Sequence, residues 1–455
     1  MQLTRKTIQR YNTQGPRYTS YPTAPTWSSD VNSNIYTDKL KVLGQTDKPI
    51  SLYIHIPFCQ KMCYFCGCMV KIRERTNPIG NDYLTLLKKE IELVAQNLGQ
   101  KQTVLQFHIG GGTPNFLNET QMEQLLRIIK KHFNLDSNGE IAIEVDPRTV
   151  SLDQVRHYRE LGFNRISMGI QDFEPKVQEA INRIQPFDLV KNIYNECRKQ
   201  NYTSINFDLI YGLPLQTEDS FLKTAQLVTK LKPDRIAFYS FAHVPWLKKH
   251  QKLIKTEDLP SADQKLNIFL KSRKHFLNSS YDAIAMDHFA LNSDEMATAF
   301  KKGELFRNFM GYTLKYTEDF IGLGMSSIGY VKDTFIQNTK DLKKYKSALN
   351  QNKLPTSGGK ILSDDDLKRQ WVIHQLMCHF TCNKKDFEHR FKEKFDTYFA
   401  AEVTHLKNCQ EEGLIEHTET TITATNLGQF FIRNVCMGFD AYLGEEVEQR
   451  FSQTV

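Results

Sequence analysis

The feature that most constrains this fold is the alternation of short β-rich runs with longer amphipathic stretches. Between residues 50 and 240, six runs rich in β-branched and aromatic residues recur at intervals of roughly 30 to 40 residues, and stretches with helical periodicity separate them. The pattern predicts an α/β fold: a parallel sheet curled into a partial, TIM-like (β/α)6 barrel with helices outside. The predicted strands are Ser51–Ile56, Val104–Ile109, Glu140–Val145, Arg165–Ile170, Ser204–Ile210 and Arg235–Ser240.

Three regions are predicted along the chain. Residues 1–45 lack sustained periodicity and are expected to form an irregular N-terminal arm. The barrel with an extension is expected over residues 46–355, followed by a linker at Thr356–Gly359. Residues 360–455 predict a mostly helical C-terminal domain with a winged-helix order of elements. Because its last predicted helix, Leu427–Phe439, is mostly apolar, a cap over the barrel mouth is favoured over DNA binding.

Composition narrows the functional class. The 455 residues are 40% hydrophobic, which excludes a disordered chain. The net charge of +7 comes from 59 basic and 52 acidic residues spread along the chain, which argues against a nucleic-acid partner. No segment reaches the about 18 apolar residues of a membrane span, and the N-terminus lacks the apolar stretch of a secretory leader. We therefore expect a cytoplasmic protein with no membrane partner.

Nine cysteines are unevenly distributed, and four of them, Cys59, Cys63, Cys66 and Cys68, fall within ten residues. The odd total argues for free thiols in a reducing compartment and against a disulfide framework. Cys59, Cys63 and Cys66 are spaced C-x3-C-x2-C directly after the first predicted strand. Three thiolates at this spacing can bind three irons of a four-iron cluster and leave the fourth open to a ligand. The alternatives are a zinc site completed by Cys68 and three unrelated buried thiols.

The cysteine loop, with Phe65 before its last thiol, resembles the cluster motif of the radical S-adenosylmethionine (SAM) superfamily. More narrowly, the chain resembles the oxygen-independent coproporphyrinogen III oxidases almost from end to end. The matching blocks are Arg17–Pro22, Ser51–Cys68, Gly110–Pro114, Glu144–Pro147, Ser167–Phe173, Asn206–Pro214, Met286–Ala290, Arg307–Phe309 and Arg433–Asn434. The resemblance implies a [4Fe–4S] cluster on Cys59, Cys63 and Cys66, and two molecules of SAM.

Residues at two predicted strand ends have chemistry of their own. Gly110–Gly112 follow the second strand, where glycines let the backbone approach a ligand closely and donate N–H groups to it. Glu144 closes the third strand and can accept hydrogen bonds from a ligand; a helix N-terminal carboxylate is the alternative. The resemblance assigns Gly111 and Glu144 to the first SAM, and Gly112 with Thr113 to the second.

The resemblance implies further contacts with SAM. Gln171, Arg183 and Asp208 match positions that contact the second SAM; Arg183 suits a carboxylate and Asp208 suits ribose hydroxyls. Without the resemblance, each is an ordinary surface or ion-pair residue. Cys68 matches a family position that is not a cluster ligand. The remaining matches are packing or backbone contacts, with core packing as the alternative: Tyr53, Phe65, Ala242 and Ile328.

The implied reaction is oxidative decarboxylation of two propionate side chains of coproporphyrinogen III to vinyl groups, giving protoporphyrinogen IX in porphyrin (haem) biosynthesis. The resemblance also implies an electron donor and an electron acceptor, neither of which the sequence identifies, and a monomer. A substrate with four propionates requires cations at the barrel mouth. Arg17, Arg307 and Arg433 are the candidates.

Three positions depart from the usual family pattern. Met310 stands where glutamine is common, Leu314 where threonine is common, and Met69 where asparagine is common. The loss of an amide beside the expected substrate pocket removes a donor and an acceptor. Two alternatives therefore stay open. One is a haem chaperone of the same superfamily, which typically lacks the N-terminal arm, and the other is a related SAM methyltransferase or haem-degrading enzyme.

Overall fold

Twelve strands form one continuous sheet in the computed structural model, which describes residues 10, 11 and 13–443. Along the sheet the order is β12-β11-β10-β9-β1-β2-β3-β4-β5-β6-β8-β7. Numbered along the chain, the strands are β1 (Ile50–Ile56), β2 (Thr103–Gly111), β3 (Asn134–Val145), β4 (Arg165–Gln171), β5 (Ser204–Tyr211), β6 (Arg235–Ser240), β7 (Tyr281–Ile284), β8 (His288–Leu291), β9 (Asp319–Leu323), β10 (Ile328–Tyr330), β11 (Thr334–Asn338) and β12 (Thr356–Ile361).

The parallel part of the sheet confirms the predicted partial barrel. Strands β1 to β6 lie side by side in chain order and run parallel. Strand β9 is also parallel, on the other side of β1, while β7, β8 and β10 to β12 extend the sheet with antiparallel pairs. Because parallel strands place their carboxyl ends at one edge, the residues that follow β1 to β6 share one barrel mouth.

Helices cover the outside of the sheet. Several helices begin after an N-cap residue whose side chain accepts a hydrogen bond from the first turn. Asn118, Ser151 and Thr217 are examples. The helices are α1 (Ser33–Gly44), α2 (Asn77–Leu98), α3 (Glu119–His132), α4 (Leu152–Leu161), α5 (Pro175–Ala180), α6 (Phe187–Lys199), α7 (Glu218–Leu231), α8 (Ala262–Asn278), α9 (Glu295–Lys302), α10 (Leu342–Asn350), α11 (Asp364–His379), α12 (Lys384–Phe391), α13 (Phe395–Tyr398), α14 (Val403–Glu411), α15 (Asn426–Phe430) and α16 (Ile432–Met437).

The expectation of an irregular arm is wrong for its second half. Helix α1 begins after Asn32, whose side chain accepts hydrogen bonds from the first turn. It buries Tyr36, Leu40 and Leu43 against the main core, and these residues recur at helical spacing. The outer ends of the predicted arm and C-terminal domain lie outside the described residues.

The expectation of a linker at Thr356–Gly359 is also wrong, because this segment lies in β12. Ser28 of the arm and Gly359 exchange two backbone hydrogen bonds of 2.9 Å, so the arm adds to the sheet edge. Glycine is required at 359 because a Cβ there would overlap the carbonyl oxygen of Phe335. Close approach of two backbones, and not flexibility, explains this glycine.

The C-terminal domain packs its helices around a three-stranded antiparallel sheet made of Thr381–Asn383, Ile415–His417 and Thr421–Ala424. The helix predicted over Leu427–Phe439 is interrupted, and so is the helical segment before it. Residues 398–412 contain a 3-10 turn before α14, and Phe431 separates α15 from α16. A second apolar cluster joins α11, α15 and α16 to Tyr18 and Tyr21 of the arm. Within residues 10, 11 and 13–443, no helix is long and apolar enough to cross a membrane.

Candidate active site

The cysteine loop leaves the barrel at the carboxyl end of β1. Two short parallel strands, Phe58–Cys59 and Lys71–Ile72, close the loop at its base. Within it Cys63 is buried, and Cys59 and Cys66 are half-buried. The three thiols predicted to hold the cluster therefore lie on one short loop at the barrel mouth.

Side chains from beyond β6 fix the backbone of this loop. The Gln251 amide, only 1% exposed, donates to the carbonyl oxygens of Phe65 at 3.0 Å and Ala242 at 3.2 Å. His250 Nε2 lies 2.7 Å from the carbonyl oxygen of Cys66. Sequence reasoning missed Gln251 and His250 because a single Gln or His in an irregular segment carries no periodic signal.

Two guanidinium groups face Cys63. Arg148 donates to its Sγ at 3.2 Å and Arg183 at 3.5 Å. Asp146 holds both arginines, at 2.6 Å from Arg148 Nη2 and 3.3 Å from Arg183 Nη2. Burial alone would raise the pKa of Asp146, but Arg183 and Arg148 lower it to about 2. Two guanidinium groups held by one carboxylate therefore lie within hydrogen-bond reach of the Cys63 sulfur. Sequence reasoning missed Arg148, whose only signal is its place just after Pro147.

Cys66 and Cys68 interact through their thiols. The hydrogen bond from Cys68, opposed by burial, lowers the pKa of Cys66 to about 6. In the described part of the chain, no three His, Cys, Asp or Glu side chains converge on a point where one metal ion would be held. Cys59, Cys63, Cys66 and Cys68 are therefore not arranged as one zinc tetrahedron. The donor set fits an iron–sulfur cluster, in which each thiolate binds its own iron.

Glycines bring β2 against the cysteine loop. A Cβ on Gly112 would lie 2.8 Å from the carbonyl oxygen of Phe58 and 3.1 Å from Cys59 Sγ. Thr113 follows, and its Oγ1 lies 3.2 Å from the same Sγ. Gly111 has a φ of +119°, a conformation that only glycine adopts without strain. The glycine run therefore leaves room for a ligand beside the first cysteine.

Glu144 ends in a network at the mouth. Its Oε1 lies 3.0 Å from His108 Nε2, and its Oε2 accepts a hydrogen bond of 3.2 Å from the Gly111 N–H. Burial alone would raise the pKa of Glu144, but these two contacts lower it below its ordinary value. The ring of Tyr53 stacks on His108 with ring centroids 5.9 Å apart. The structure thus brings together the residues predicted for the first SAM, and adds His108, which sequence reasoning missed.

Three of the residues predicted for the second SAM, Gln171, Arg183 and Asp208, lie on β4, on the segment between β4 and α6, and on β5. Gln171, at a φ of +66°, has a buried Oε1 with no hydrogen-bond partner in the described residues, and the same holds for Arg183 Nε. Both side chains flank Gly169, where a Cβ would lie 2.7 Å from Gln171 and 3.0 Å from Arg183. Burial, followed by the charge of Glu144, raises the pKa of Asp208 to about 6. Unpaired buried polar atoms beside a carboxyl group fit a polar ligand.

The remaining predicted contacts are mostly apolar. Phe65 packs against a small buried cluster that contains Leu213 and Phe241. Ile328 begins β10, and a Cβ on Gly322 of β9 would overlap its carbonyl oxygen. Gly322 in turn pairs with Tyr53 of β1. Ile328 is therefore two strands away from Tyr53 in the sheet.

The three candidate arginines separate into two cavities. Arg17 and Arg433 line a cavity of about 80 Å³ beside the ends of β5 and β6. Arg307 lines a cavity of about 630 Å³ between the arm, the hairpin of residues 306–313 and α11. None of the residues predicted for the cluster or SAM lines the larger cavity, so we place the chemistry at the barrel mouth.

Both the barrel and the C-terminal domain match known protein families. The profile of the Radical SAM superfamily matches residues 53–228, and that of the HemN C-terminal domain matches residues 362–431. The oxygen-independent coproporphyrinogen III oxidase of Salmonella typhimurium is 42% identical over 98% of this chain and 97% of its own length. The enzyme of the same name from Escherichia coli is 41% identical over the same shares.

The chain belongs to the oxygen-independent coproporphyrinogen III oxidase family. A solved structure, described as coproporphyrinogen III oxidase (HemN) from Escherichia coli, a radical SAM enzyme, matches with a TM-score of 0.90 at 40% identity. It covers 95% of this chain and 100% of that chain. These matches confirm the predicted family and favour it over the haem chaperone and the other SAM enzymes.

Two of the residues predicted to depart from the usual family pattern, Met310 and Leu314, lie at one hairpin. Met310 is at its turn, where its N–H donates to Asn308 Oδ1 at 2.8 Å. Leu314 follows the hairpin and packs against the apolar cluster of the C-terminal domain. The change at 314 is therefore accommodated by apolar packing between the barrel and the domain that covers it.

Proposed function

We propose that this chain catalyses the oxygen-independent oxidative decarboxylation of two propionate side chains of coproporphyrinogen III to vinyl groups, giving protoporphyrinogen IX. One observation carries the proposal: three thiols on a loop at the barrel mouth, in a chain that matches oxidases of this name over nearly its whole length. The reaction makes the chain an oxidoreductase of porphyrin biosynthesis. Its cofactors are a [4Fe–4S] cluster and SAM.

Residues at the barrel mouth have two roles, binding the cluster and positioning the cysteine loop. Cys59, Cys63 and Cys66 would hold the cluster, which together with SAM supplies the hydrogen-abstracting power that oxygen provides in other oxidases. Arg148 and Arg183, both paired with Asp146, donate hydrogen bonds to the Cys63 sulfur and keep the loop in place.

Two groups of residues would hold two SAM molecules side by side. Glu144 accepts from amino or hydroxyl groups of the first, supported by Gly111 and by His108, which stacks on Tyr53. For the second, the unpaired Gln171 oxygen and Arg183 Nε are available to polar groups. The residues assigned to this second SAM are Gly112, Thr113, Gln171, Arg183 and Asp208, and those assigned as packing or backbone contacts of the pair are Phe65, Ala242 and Ile328.

The division of the chain and its partners are part of the proposal. Residues 1–45 act as an arm, 46–355 as the barrel with its extension, and 360–455 as a cap that shields the mouth from water. Shielding suits a reaction with a reactive intermediate, because water and other solutes are excluded. The partners are the substrate, an electron donor and an electron acceptor, and the protein acts as a monomer in the cytoplasm.

An anaerobic turnover experiment tests the function. Reconstituted protein is incubated with SAM, a reductant, an electron acceptor and coproporphyrinogen III, and the porphyrins are separated after oxidation. We expect protoporphyrinogen IX, with one SAM consumed for each vinyl group. Cleavage of SAM without any vinyl product would refute the oxidase assignment while leaving the SAM chemistry intact.

A further inference from the structure

A small cavity of about 80 Å³ lies where the arm, β6, α8 and the C-terminal domain meet. Three guanidinium groups line it: Arg17 from the arm, Arg273 from α8 and Arg433 from α16. Aromatic rings, among them Phe269 and Phe430, form the apolar part of its wall. Arg433 is only 5% exposed. The cavity therefore combines buried positive charge with apolar walls.

Among the described residues, the basic groups around this cavity outnumber the acidic ones. Arg17 donates to the carbonyl oxygen of Ser240 at 2.9 Å, and the nearby Lys265 donates to that of Phe241 at 3.3 Å. These acceptors carry no charge, so among the described residues that line the cavity Asp287 is the carboxylate that offsets part of the positive charge. Asp287 also lines the cavity, and its Oδ1 lies 2.7 Å from the His288 ring.

Burial and mutual repulsion among the cations lower the pKa values of two of them. Burial, followed by the charges of Arg17 and Arg433, lowers the pKa of Lys265 to about 8. Burial, followed by the charge of Arg17, lowers the pKa of Arg433 to about 10. A bound anion would offset this repulsion, so the free-energy gain from binding a carboxylate here is larger than at an exposed arginine.

Size and position restrict the anion. A water molecule takes up roughly 30 Å³ of the liquid. The cavity of about 80 Å³ therefore has room for a carboxylate on a short stem and is too small for a tetrapyrrole ring. Tyr211 at the end of β5 and Ser240 at the end of β6 both line it. Ala242, assigned above to SAM, follows Ser240 by two residues. The cavity thus lies at the same mouth as the proposed chemistry.

We propose that the pocket lined by Arg17, Arg273 and Arg433 binds one propionate of the substrate, its carboxylate between the guanidinium groups and its methylene groups against the phenyl rings. The inference rests on the proposed function and deepens it, because it assigns a subsite to one part of the substrate. Arg307, which lines the other cavity, is not part of this pocket.

Equilibrium binding tests the subsite without turnover. The probe is coproporphyrin III, the conjugated form that carries the same four propionates, followed by fluorescence in the reconstituted protein. We expect Arg17→Met and Arg273→Met each to weaken binding about tenfold or more, because each removes a charge-assisted hydrogen bond. Arg17→Lys should recover part of the loss. Lys271→Met is the matched control, since Lys271 lies on α8 and pairs with Glu218 at the surface.

A neutral probe separates carboxylate binding from a structural role. The tetramethyl ester of coproporphyrin III has no charge, so the arginine variants should bind it as the wild type does. Equal weakening for acid and ester, or unchanged binding of the acid in both arginine variants, would overturn the subsite. Product formation is scored separately in the turnover assay. If vinyl product forms but the arginine variants bind the acid and the ester alike, only the subsite is refuted. If the variants lose affinity for the acid alone and no vinyl product forms, only the oxidase function is refuted.

Discussion

At Gly112 the backbone is packed closely against the cysteine loop. An alanine there would bring a methyl group within 3.1 Å of Cys59 Sγ and within 2.8 Å of a backbone oxygen. We therefore expect Gly112→Ala to displace the loop and to lose most of the bound iron, measured by iron analysis and visible absorbance. Gly67→Ala is the matched control on the same loop, since no atom lies within 4 Å of a Cβ there. Full iron content in Gly112→Ala would show that the loop moves freely.

The four clustered cysteines are expected to differ in effect. Cys59→Ser, Cys63→Ser and Cys66→Ser should each abolish the brown chromophore and SAM cleavage, because each removes the only protein ligand of one iron. Cys68→Ser should keep the chromophore, since Cys68 lies outside the C-x3-C-x2-C set proposed to bind the cluster. Absorbance and SAM cleavage under anaerobic conditions check both expectations. Bleaching by Cys68→Ser would instead indicate a fourth ligand.

At the scale of elements, a buried carboxyl group connects α2 to the sheet. Glu90 accepts hydrogen bonds from the Tyr345 hydroxyl, the Asn338 amide and the Gly324 N–H. Burial raises its pKa from 4.5 to about 7. Between these pH values the folded protein binds a proton that the unfolded chain does not. The stabilisation is complete below about pH 4.5 and is lost as the pH rises through 7, a change of about 3 kcal/mol.

The Glu90→Gln variant isolates this effect because glutamine does not titrate. We expect the wild type to lose about 2 kcal/mol of stability relative to the variant between pH 5 and pH 8. Urea unfolding of both proteins at the two pH values measures the difference. The comparison cancels the contribution of other titrating groups, such as His55, whose pKa burial lowers. A constant difference between the two proteins would contradict the assignment.

How far the sequence predicts these elements depends on what stabilises them. The six barrel strands were predictable because each is a β-rich run between amphipathic helices, and β6 has the predicted bounds. Strand β12 was not, because Gly358 and Gly359 carry no β propensity. Close backbone contacts select them, Gly358 with Ser28 of the arm and Gly359 with Phe335 of β11. The site showed the same contrast. The cysteines and glycines form a recognisable motif, whereas His108 and Gln251 act only through contacts created by the fold.

At the scale of the molecule, the arm joins the barrel to the C-terminal domain. Tyr21 is 2% exposed within the second apolar cluster, and its hydroxyl accepts a hydrogen bond of 3.1 Å from the Ala441 N–H. We expect Tyr21→Ala to destabilise the protein by about 3 kcal/mol, because it removes a large buried side chain. Tyr21→Phe should cost about 1 kcal/mol, since only the hydroxyl contact is lost. Urea unfolding measures both, and equal stability of the two variants would show that packing at this position is unimportant.

The union of the arm with the last helix sets an order of events during synthesis. Arg433 donates to the carbonyl oxygens of Gly15 and Pro16, so a segment of the arm docks on a helix that is made about 417 residues later. On the ribosome the arm emerges early and cannot dock until α16 has been made, while the barrel strands can pair as they emerge. The pocket lined by Arg17 and Arg433 is therefore assembled only after α16 has been made. A nascent or C-terminally shortened chain could present its cysteines but would lack this anchor for the substrate.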